Sequence, residues 1–406
     1  MNTVVQVRGV FYGWIVVAAV FAITFVGFGS AYTFSAFVQP LQHEFGASRG
    51  SVSLVFALSG FLYFSFGIIS GRLADRWGAR RLAVIGMALI GGGLALASVA
   101  RTLIEVYLAY GLGVGLGIGC AYVPVVGVVQ RWFDKRRGLA SGLAVSGIGV
   151  GTLAMPPLAA VLIEALGWRD AYLALGIGAA TLGIGMSLLI VSDPRDRGLQ
   201  ADGVDSGARP AVRPPQGMTV QQAVRSAEFK SLYAACLICS FAVFVPFVHL
   251  VPFAQDHGIE QTRAALLIAM IGAGSTFGRF FLGGVADRIG RTAFLVVTYV
   301  GMTVAIAIWI VAESFAALAL FAVVLGLFYG GWVAVLPAVV MDRFGGANLS
   351  AIIGVLYTSV AVGTLIGPSV AGFLFDMTHS YKSAIIASVA ANLVAAVIAA
   401  RALAIK

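Results

Sequence analysis

Long apolar runs alternate with short polar segments along the chain, and this pattern predicts its elements. Twelve runs contain no Asp, Glu, Lys or Arg, except for one arginine in the eighth, and the shortest has 18 residues. A helix needs about 20 apolar residues to cross a bilayer, and continuous runs without two-residue alternation exclude a β-barrel. We therefore predict an all-α membrane protein with twelve transmembrane helices. The runs are 9–42, 50–71, 82–100, 106–130, 138–163, 171–192, 231–255, 264–286, 292–312, 314–341, 344–375 and 383–400.

The composition supports this class of protein. Of the 406 residues, 60% are hydrophobic and 11% are charged, whereas about a quarter of the residues in soluble domains are charged. The net charge is +9, and a cytoplasmic N-terminus would put twenty of the 26 basic residues in cytoplasmic segments. The positive-inside rule therefore predicts cytoplasmic termini in a multi-pass protein of the cytoplasmic membrane. This topological signal, with no basic helix or aromatic platform, argues against a nucleic-acid partner.

One long polar stretch, residues 193–228, divides the twelve runs six and six. Charged residues and prolines are frequent in it, which is typical of a flexible linker. We expect an N-terminal six-helix bundle at 1–192, a cytoplasmic linker at 193–228 and a C-terminal six-helix bundle at 229–406.

A short polar motif recurs in the two halves. GRLADRWGARR follows the second run, GGVADRIGR follows the eighth, and their aspartates are 212 residues apart, which indicates an internal repeat. Glycines allow neighbouring helices to approach closely, and aspartates can cap helix N-termini. We interpret the motif as a conformational latch, and the alternative is that it orients a tight loop. The residues assigned to it are Gly71, Asp75, Arg76, Gly78, Arg80, Arg81, Asp287 and Arg288.

This motif on a six-plus-six layout resembles the major facilitator superfamily over the whole chain. Three further features are similar to the monocarboxylate transporters and the related oxalate:formate antiporters. They are Tyr12, Gly13 and Trp14 in the first run, RRGLASG at residues 136–142, and Arg279 in the eighth run. The resemblance is to a bacterial lactate-transporting homologue. It implies alternating access, in which two bundles rock around a central site.

Arg279 is the one charged side chain well inside a run, because all seventeen acidic residues lie outside them. An unpaired charge there costs at least about 2.5–3.5 kcal/mol. A substrate carboxylate is the natural partner, since the planar guanidinium can bind it through two hydrogen bonds. The resemblance gives this arginine the same role. The alternative is that its side chain extends to the cytoplasmic surface.

His249 is the one histidine inside a run, and Pro246 and Pro252 beside it are expected to interrupt the helix. A side chain that titrates near neutral pH suits substrate binding or proton coupling, and the alternative is a neutral, hydrogen-bonded histidine. Other groups at similar depth can complete a small pocket. The polar candidates are Tyr122, Tyr329, Trp332, Tyr357 and Ser275, and the candidates for an apolar wall are Phe28 and Val145.

These features favour secondary transport of a small monocarboxylate, such as lactate or pyruvate, by proton symport. A single intramembrane cation suits one carboxylate better than two. The chain departs from the family patterns. Many mammalian monocarboxylate transporters have an aspartate where Ser275 stands and a lysine in the first span, but residues 14–40 contain no lysine. The oxalate:formate antiporters have a lysine in the eleventh span, but residues 350–374 contain none. Without that aspartate, the proton could travel on His249 or on the substrate.

Other functions are also compatible with the sequence. A carboxylate exchanger of the oxalate:formate type and a non-transporting sensor on a transporter fold are the alternatives. An enzyme is disfavoured, because the runs lack a nucleophile with its base, paired carboxylates or a metal cluster. The expected partners are a small organic anion, protons and the lipid bilayer. We expect no metal, no cofactor and no obligate protein partner.

Overall fold

The structure is a computed structural model that describes residues 11–133, 136–203, 217–345 and 348–404. These residues form sixteen α-helices, a π-helical turn at Tyr107–Leu112 and short 3-10 turns at Pro194–Arg197 and Ala201–Gly203. The helices are α1 (Tyr12–Tyr32), α2 (Phe34–Phe45), α3 (Arg49–Trp77), α4 (Ala79–Ser98), α5 (Leu103–Val106), α6 (Gly113–Trp132), α7 (Arg137–Leu188), α8 (Val220–Arg225), α9 (Ala227–Val243), α10 (Val245–Asp256), α11 (Gln261–Phe281), α12 (Gly283–Ile289), α13 (Arg291–Trp309), α14 (Phe315–Phe344), α15 (Leu349–Thr378) and α16 (Lys382–Ala404).

Within the described ranges, eleven helical stretches are long and apolar enough to cross a membrane, one fewer than the number of apolar runs. The difference lies in α7, which has 52 residues and joins the fifth and sixth runs. Its backbone is not helical at Gly167, where φ is 81° and ψ is 162°. At 1.5 Å per residue, 52 helical residues would extend about 78 Å, more than twice the hydrocarbon thickness. The glycine therefore divides α7 into two segments without an intervening loop.

Two of the apolar stretches are broken at equivalent places. The first is interrupted between α1 and α2 at Thr33, and the one after the linker is interrupted between α9 and α10 at Phe244. The prediction of a proline break is confirmed at Pro246, which occupies the first turn of α10. At Pro252, which lies inside α10, the missing N–H interrupts the hydrogen-bond ladder without ending the helix. The two breaks are 211 residues apart, close to the spacing of the repeated motif.

The repeated motif lies at two turns with nearly the same backbone conformation. Gly78 joins α3 to α4 with φ 83° and ψ 144°, and Gly290 joins α12 to α13 with φ 90° and ψ 136°. Few residues other than glycine adopt such angles. Arg80 donates from Nε to the carbonyl oxygen of Ile190 at 2.8 Å, so it fastens α4 to the chain beyond α7. The side chains of Asp75 and Asp287 lie outside the described part, Gly71 is half-buried, and Arg76, Arg81 and Arg288 are exposed.

Helix contacts bring the two halves of the chain together. Helix α3 packs along α15, and α7 packs along α11 as well as α1. Close approach between α4 and α6 depends on glycines, since a Cβ on Gly117 would lie 2.6 Å from the carbonyl oxygen of Gly86. Many large apolar side chains remain exposed, with Val311 in the turn after α13 and Met377 in α15 about four-fifths exposed. Such a surface suits lipid rather than water.

The segment expected to be a flexible linker is ordered at both of its described ends. Asp193 accepts a hydrogen bond from the amide of Arg195 and caps a 3-10 turn. At the other end, Thr219 and Gln222 form a capping box at the start of α8. The amide of Met218 donates to the carbonyl oxygen of Phe344 at 2.8 Å. The second end is therefore attached to the connection between α14 and α15.

Candidate functional site

A small cavity of about 40 Å³ lies among seven helices. It takes side chains from α1, α3, α6 and α7 on one side and from α11, α14 and α15 on the other, so its walls come from both halves of the chain. Most of the walls are aromatic or aliphatic. The lining residues are Phe28, Tyr32, Phe64, Tyr122, Ile148, Arg279, Tyr329, Trp332, Val333, Leu336, Tyr357 and Val360.

Arg279 is the one charged side chain among these lining residues. It is near the C-terminal end of α11, where the helix brings the guanidinium to the cavity. Within the described part of the chain, its Nε and Nη1 atoms are buried and have no hydrogen-bond partner. Four phenols line the same cavity: Tyr32, Tyr122, Tyr329 and Tyr357. A buried guanidinium with unused donors and no lining carboxylate is suited to an anion that comes from solution.

Contacts across the cavity connect its walls. The ring of Phe28 meets that of Tyr122 edge to face, with centroids 5.0 Å apart. The hydroxyl oxygens of Tyr32 and Tyr329 are 3.4 Å apart, and Trp332 donates from Nε1 to the hydroxyl oxygen of Tyr299 at 3.2 Å. The tryptophan is therefore held in place by a phenol behind the wall, whereas the tyrosine hydroxyls point to groups at the cavity itself.

The cavity brings together most of the residues that the sequence singles out. Arg279, Phe28, Tyr122, Tyr329, Trp332 and Tyr357 all line it. His249, Ser275 and Val145 are not among the lining residues. Ser275 is buried with a hydroxyl that has no partner in the described part, and Val145 packs at the edge of the core.

Sequence reasoning missed several wall residues, among them Tyr32, Phe64 and Ile148. One of them had a usable signal. Tyr32 follows Phe28 by four residues, and side chains at that spacing share one face of a helix. The aliphatic wall residues had no comparable signal, because leucine, isoleucine and valine occur at every depth and on every face of these helices.

A second polar group, the Arg49 cluster, joins the halves at one end of the helices and consists of Arg49, Asp256, Asp376, Tyr381 and His249. Arg49, the first residue of α3, binds Asp256 at the end of α10 through two hydrogen bonds, at 2.5 and 2.7 Å. Its guanidinium also lies 4.0 Å from the ring centroid of Phe375. The carboxylate of Asp376 in α15 accepts from the amides of Arg49 and Gly50, at 2.9 and 2.8 Å. It therefore caps a helix of the other half, where unpaired amides and the helix dipole favour an anion.

His249 belongs to the Arg49 cluster and is fully buried. Its Nε2 atom lies 2.8 Å from the carbonyl oxygen of Pro368, which can only accept, so Nε2 carries a proton. Its Nδ1 atom then accepts from the hydroxyl of Tyr381 at 2.9 Å, and Arg49 donates from Nη1 to the same hydroxyl oxygen at 3.0 Å. These partners fit a neutral histidine, protonated at Nε2, at the end of a directed chain of hydrogen bonds.

Comparisons with known proteins agree with this architecture. The sequence profile of the Major Facilitator Superfamily matches residues 19–312 and 231–406. The chain is 29% identical to monocarboxylate transporter 12-B of Danio rerio, over 92% of this chain and 83% of that protein. It is 29% identical to monocarboxylate transporter 4 of Mus musculus (91% and 79% covered) and 28% identical to monocarboxylate transporter 11 of Homo sapiens (93% and 80%).

Solved structures show the same fold at lower identity. One is a bacterial homologue of the human lysosomal transporter Spinster, in an inward-facing and unoccupied conformation. It superimposes on this protein with a TM-score of 0.77 at 16% sequence identity, and the match covers 96% of this chain and 97% of that one. A peptide transporter in complex with sulfate gives a TM-score of 0.71 at 15% identity, over 95% and 94% of the two chains. With the family profile matched over nearly the whole chain, this protein belongs to the Major Facilitator Superfamily and is similar to its monocarboxylate transporters.

Proposed function

We propose that this protein is a secondary transporter of small monocarboxylates, of the lactate and pyruvate type. One observation carries the proposal: the Arg279 guanidinium has buried Nε and Nη1 donors without partners in the described chain, in a cavity lined mainly by apolar and aromatic groups. A carboxylate bound to one edge of the guanidinium would accept from one of these donors and neutralise the charge. The names of the relatives, monocarboxylate transporters in fish and mammals, support the same substrate class.

The number of charges favours one carboxylate per substrate. Arg279 supplies one positive charge at the cavity, and the lining residues include no second cation to bind a dicarboxylate. The small cavity volume of about 40 Å³ likewise favours a substrate of few carbon atoms, since a single water molecule needs about 10–15 Å³ of such space. Substrate entry then requires the walls to move apart.

We propose alternating access between a bundle at 1–192 and a bundle at 229–406, joined by the linker 193–228. The turn at Gly167 supports twelve crossings rather than eleven, with both termini in the cytoplasm and the protein in the cytoplasmic membrane. The equivalent breaks at Thr33 and Phe244 support an internal repeat. In this topology the Arg49 cluster is at the outer end and holds that end closed, while the repeated motif acts as a latch at the cytoplasmic end.

Proton symport is the proposed coupling. A monoanion that moves with one proton is electroneutral, which avoids about 2.3 kcal/mol per charge per 100 mV of membrane potential. His249 is one candidate for the proton. Its Nδ1 atom is an acceptor, so protonation there would compete with Arg49 for the Tyr381 hydroxyl oxygen and loosen the Arg49 cluster. The substrate itself, beside Arg279, is the other candidate.

Uptake of radiolabelled L-lactate into proteoliposomes tests the function, with Arg279→Lys as the decisive variant. Lysine keeps the charge but loses the planar fork, so we expect uptake to fall at least about tenfold. Arg263→Lys is a matched control in the same helix, because Arg263 is exposed and lies over the ring of Phe315. Wild-type uptake by Arg279→Lys would contradict the assignment.

Coupling of transport to protons is measured in the same proteoliposomes. Uptake that rises with an inward proton gradient and collapses with a protonophore is expected for symport. Uptake that ignores the gradient but accelerates with internal carboxylate would instead identify an exchanger.

A further inference from the structure

Three phenols converge beside the cavity from both halves of the chain. Tyr32 in α1 and Tyr329 in α14 line the cavity, with their hydroxyl oxygens 3.4 Å apart. Tyr63 in α3 lies behind Phe28, with ring centroids 5.7 Å apart. The side chain of Tyr63 is 4% exposed, and its hydroxyl has no hydrogen-bond partner in the described chain.

These hydroxyls have more hydrogen-bonding capacity than the protein uses. A phenol can donate one hydrogen bond and accept others, and buried hydroxyls in proteins are nearly always paired. The 3.4 Å separation of Tyr32 and Tyr329 is long, since hydrogen bonds between hydroxyls are usually 2.5–3.0 Å. The cluster is therefore suited to a ligand oxygen that can both accept and donate.

The position of Arg279 indicates which oxygen atom of the ligand would meet the phenols. Arg279 and Tyr32 line the same cavity of about 40 Å³. In so small a space, a carboxylate on Arg279 leaves the next carbon of the substrate near the phenols. The substituent on that carbon is the oxygen atom that distinguishes lactate and pyruvate from propionate.

We propose that Tyr32 and Tyr63 bind the C2 oxygen of 2-hydroxy and 2-oxo monocarboxylates and thereby select them over unsubstituted acids. This inference rests on the proposed function, because it requires the carboxylate to bind Arg279. Tyr32 meets the oxygen from the cavity wall, and Tyr63 in α3, whose side chain is not among the lining residues, would supply its hydroxyl from behind Phe28. Tyr329, from the other half, would then close on the same oxygen, so that binding draws α1 and α14 together.

The test compares two substrates of three carbons, L-lactate and propionate, which differ by the C2 oxygen. KM values are measured in proteoliposomes for wild-type protein, Tyr32→Phe and Tyr63→Phe. Each phenylalanine removes one hydroxyl without changing the ring. We expect the KM for lactate to rise about three- to tenfold in each variant, as for one lost hydrogen bond, while the KM for propionate stays the same.

Tyr172→Phe is the matched control. Tyr172 is fully buried and its hydroxyl also has no partner in the described chain, but its ring stacks on Phe37 away from the cavity. We expect this variant to leave both KM values unchanged. If Tyr172→Phe alters the lactate-to-propionate ratio as much as the cavity variants do, the selectivity does not come from these phenols, and the inference is overturned.

The remaining outcomes separate this inference from the proposed function. Transport of both acids that depends on Arg279, with an unchanged ratio in Tyr32→Phe and Tyr63→Phe, overturns the inference alone; the phenols would then hold water. Equal shifts for both acids overturn it in the same way. Failure of the wild-type protein to transport either acid overturns the proposed function and this inference together.

Discussion

Removal of the Asp376 carboxylate tests the proposal that the Arg49 cluster holds one end of the molecule closed. Asp376 in α15 accepts from two amides at the start of α3, those of Arg49 and Gly50. Asp376→Ala removes both bonds and leaves the ion pair between Arg49 and Asp256 in place. If α3 and α15 separate when this end opens, the substitution destabilises the closed form and leaves the open form unaffected.

The size of the effect follows from the two bonds. A hydrogen bond to a charged group contributes about 1.5–3 kcal/mol, and the partial exposure of Asp376 reduces this. We therefore expect the two hydrogen bonds together to stabilise the closed form by about 2–3 kcal/mol. Since each 1.4 kcal/mol is a factor of ten, the ratio of open to closed molecules is expected to rise about 30- to 150-fold. Asp376→Asn keeps one acceptor and should give a smaller rise.

Distances between two spin labels measure this ratio directly. Cysteines that replace His43 in α2 and Lys382 in α16 would carry the labels, because both side chains are exposed and lie in different halves. Glu44→Gln is the control, since Glu44 forms its 2.7 Å ion pair with Arg169 inside the same half. The reasoning is refuted if Asp376→Ala gives the wild-type distance distribution, or if Glu44→Gln shifts it equally.

Two further predictions concern packing and coupling. A Cβ at Gly330 would overlap the carbonyl oxygen of Ser275. We therefore expect Gly330→Ala to lower stability by about 1–3 kcal/mol and to reduce the melting temperature. Gly92→Ala, with no atom within 4 Å of the new Cβ, should not, and equal melting temperatures for the two variants would contradict the packing argument. His249→Ala removes the acceptor for the Tyr381 hydroxyl. We therefore expect proton-gradient-driven lactate uptake to fall while lactate binding survives. An unchanged response of uptake to pH would exclude His249 from proton coupling.

Comparison of the sequence with the structure shows which features of the fold can be predicted from patterns along the chain. Apolar runs predict membrane helices because the hydrocarbon core admits few charges and requires internal backbone hydrogen bonding. The run boundaries follow most of the helix ends, and the gap between the fifth and sixth runs contains Gly167, where the chain turns without a non-helical loop. The breaks at Thr33 and Phe244 lie inside runs instead. The break at Pro246 was also predictable, since proline cannot donate the next helical hydrogen bond.

Depth along a helix is visible in the sequence, but rotation about its axis is not. Arg279 was identified because a lone charge in an apolar run needs a partner wherever it points. Phe28 and Val145 have similar depth, yet Phe28 alone lines the cavity. Tyr63 was not singled out, although its hydroxyl is buried and unpaired among the described residues.

The sequence by itself determined the membrane helices and the repeated motif, and it marked Arg279 as a lone charge in an apolar run. These depend on local composition and on the solvent properties of the bilayer. The tertiary structure alone decided that His249 joins the Arg49 cluster rather than the cavity, and that Asp376 caps a helix more than 320 residues away along the chain. Such pairings depend on which helix faces meet, and that is set by the packing of the whole bundle rather than by any one segment.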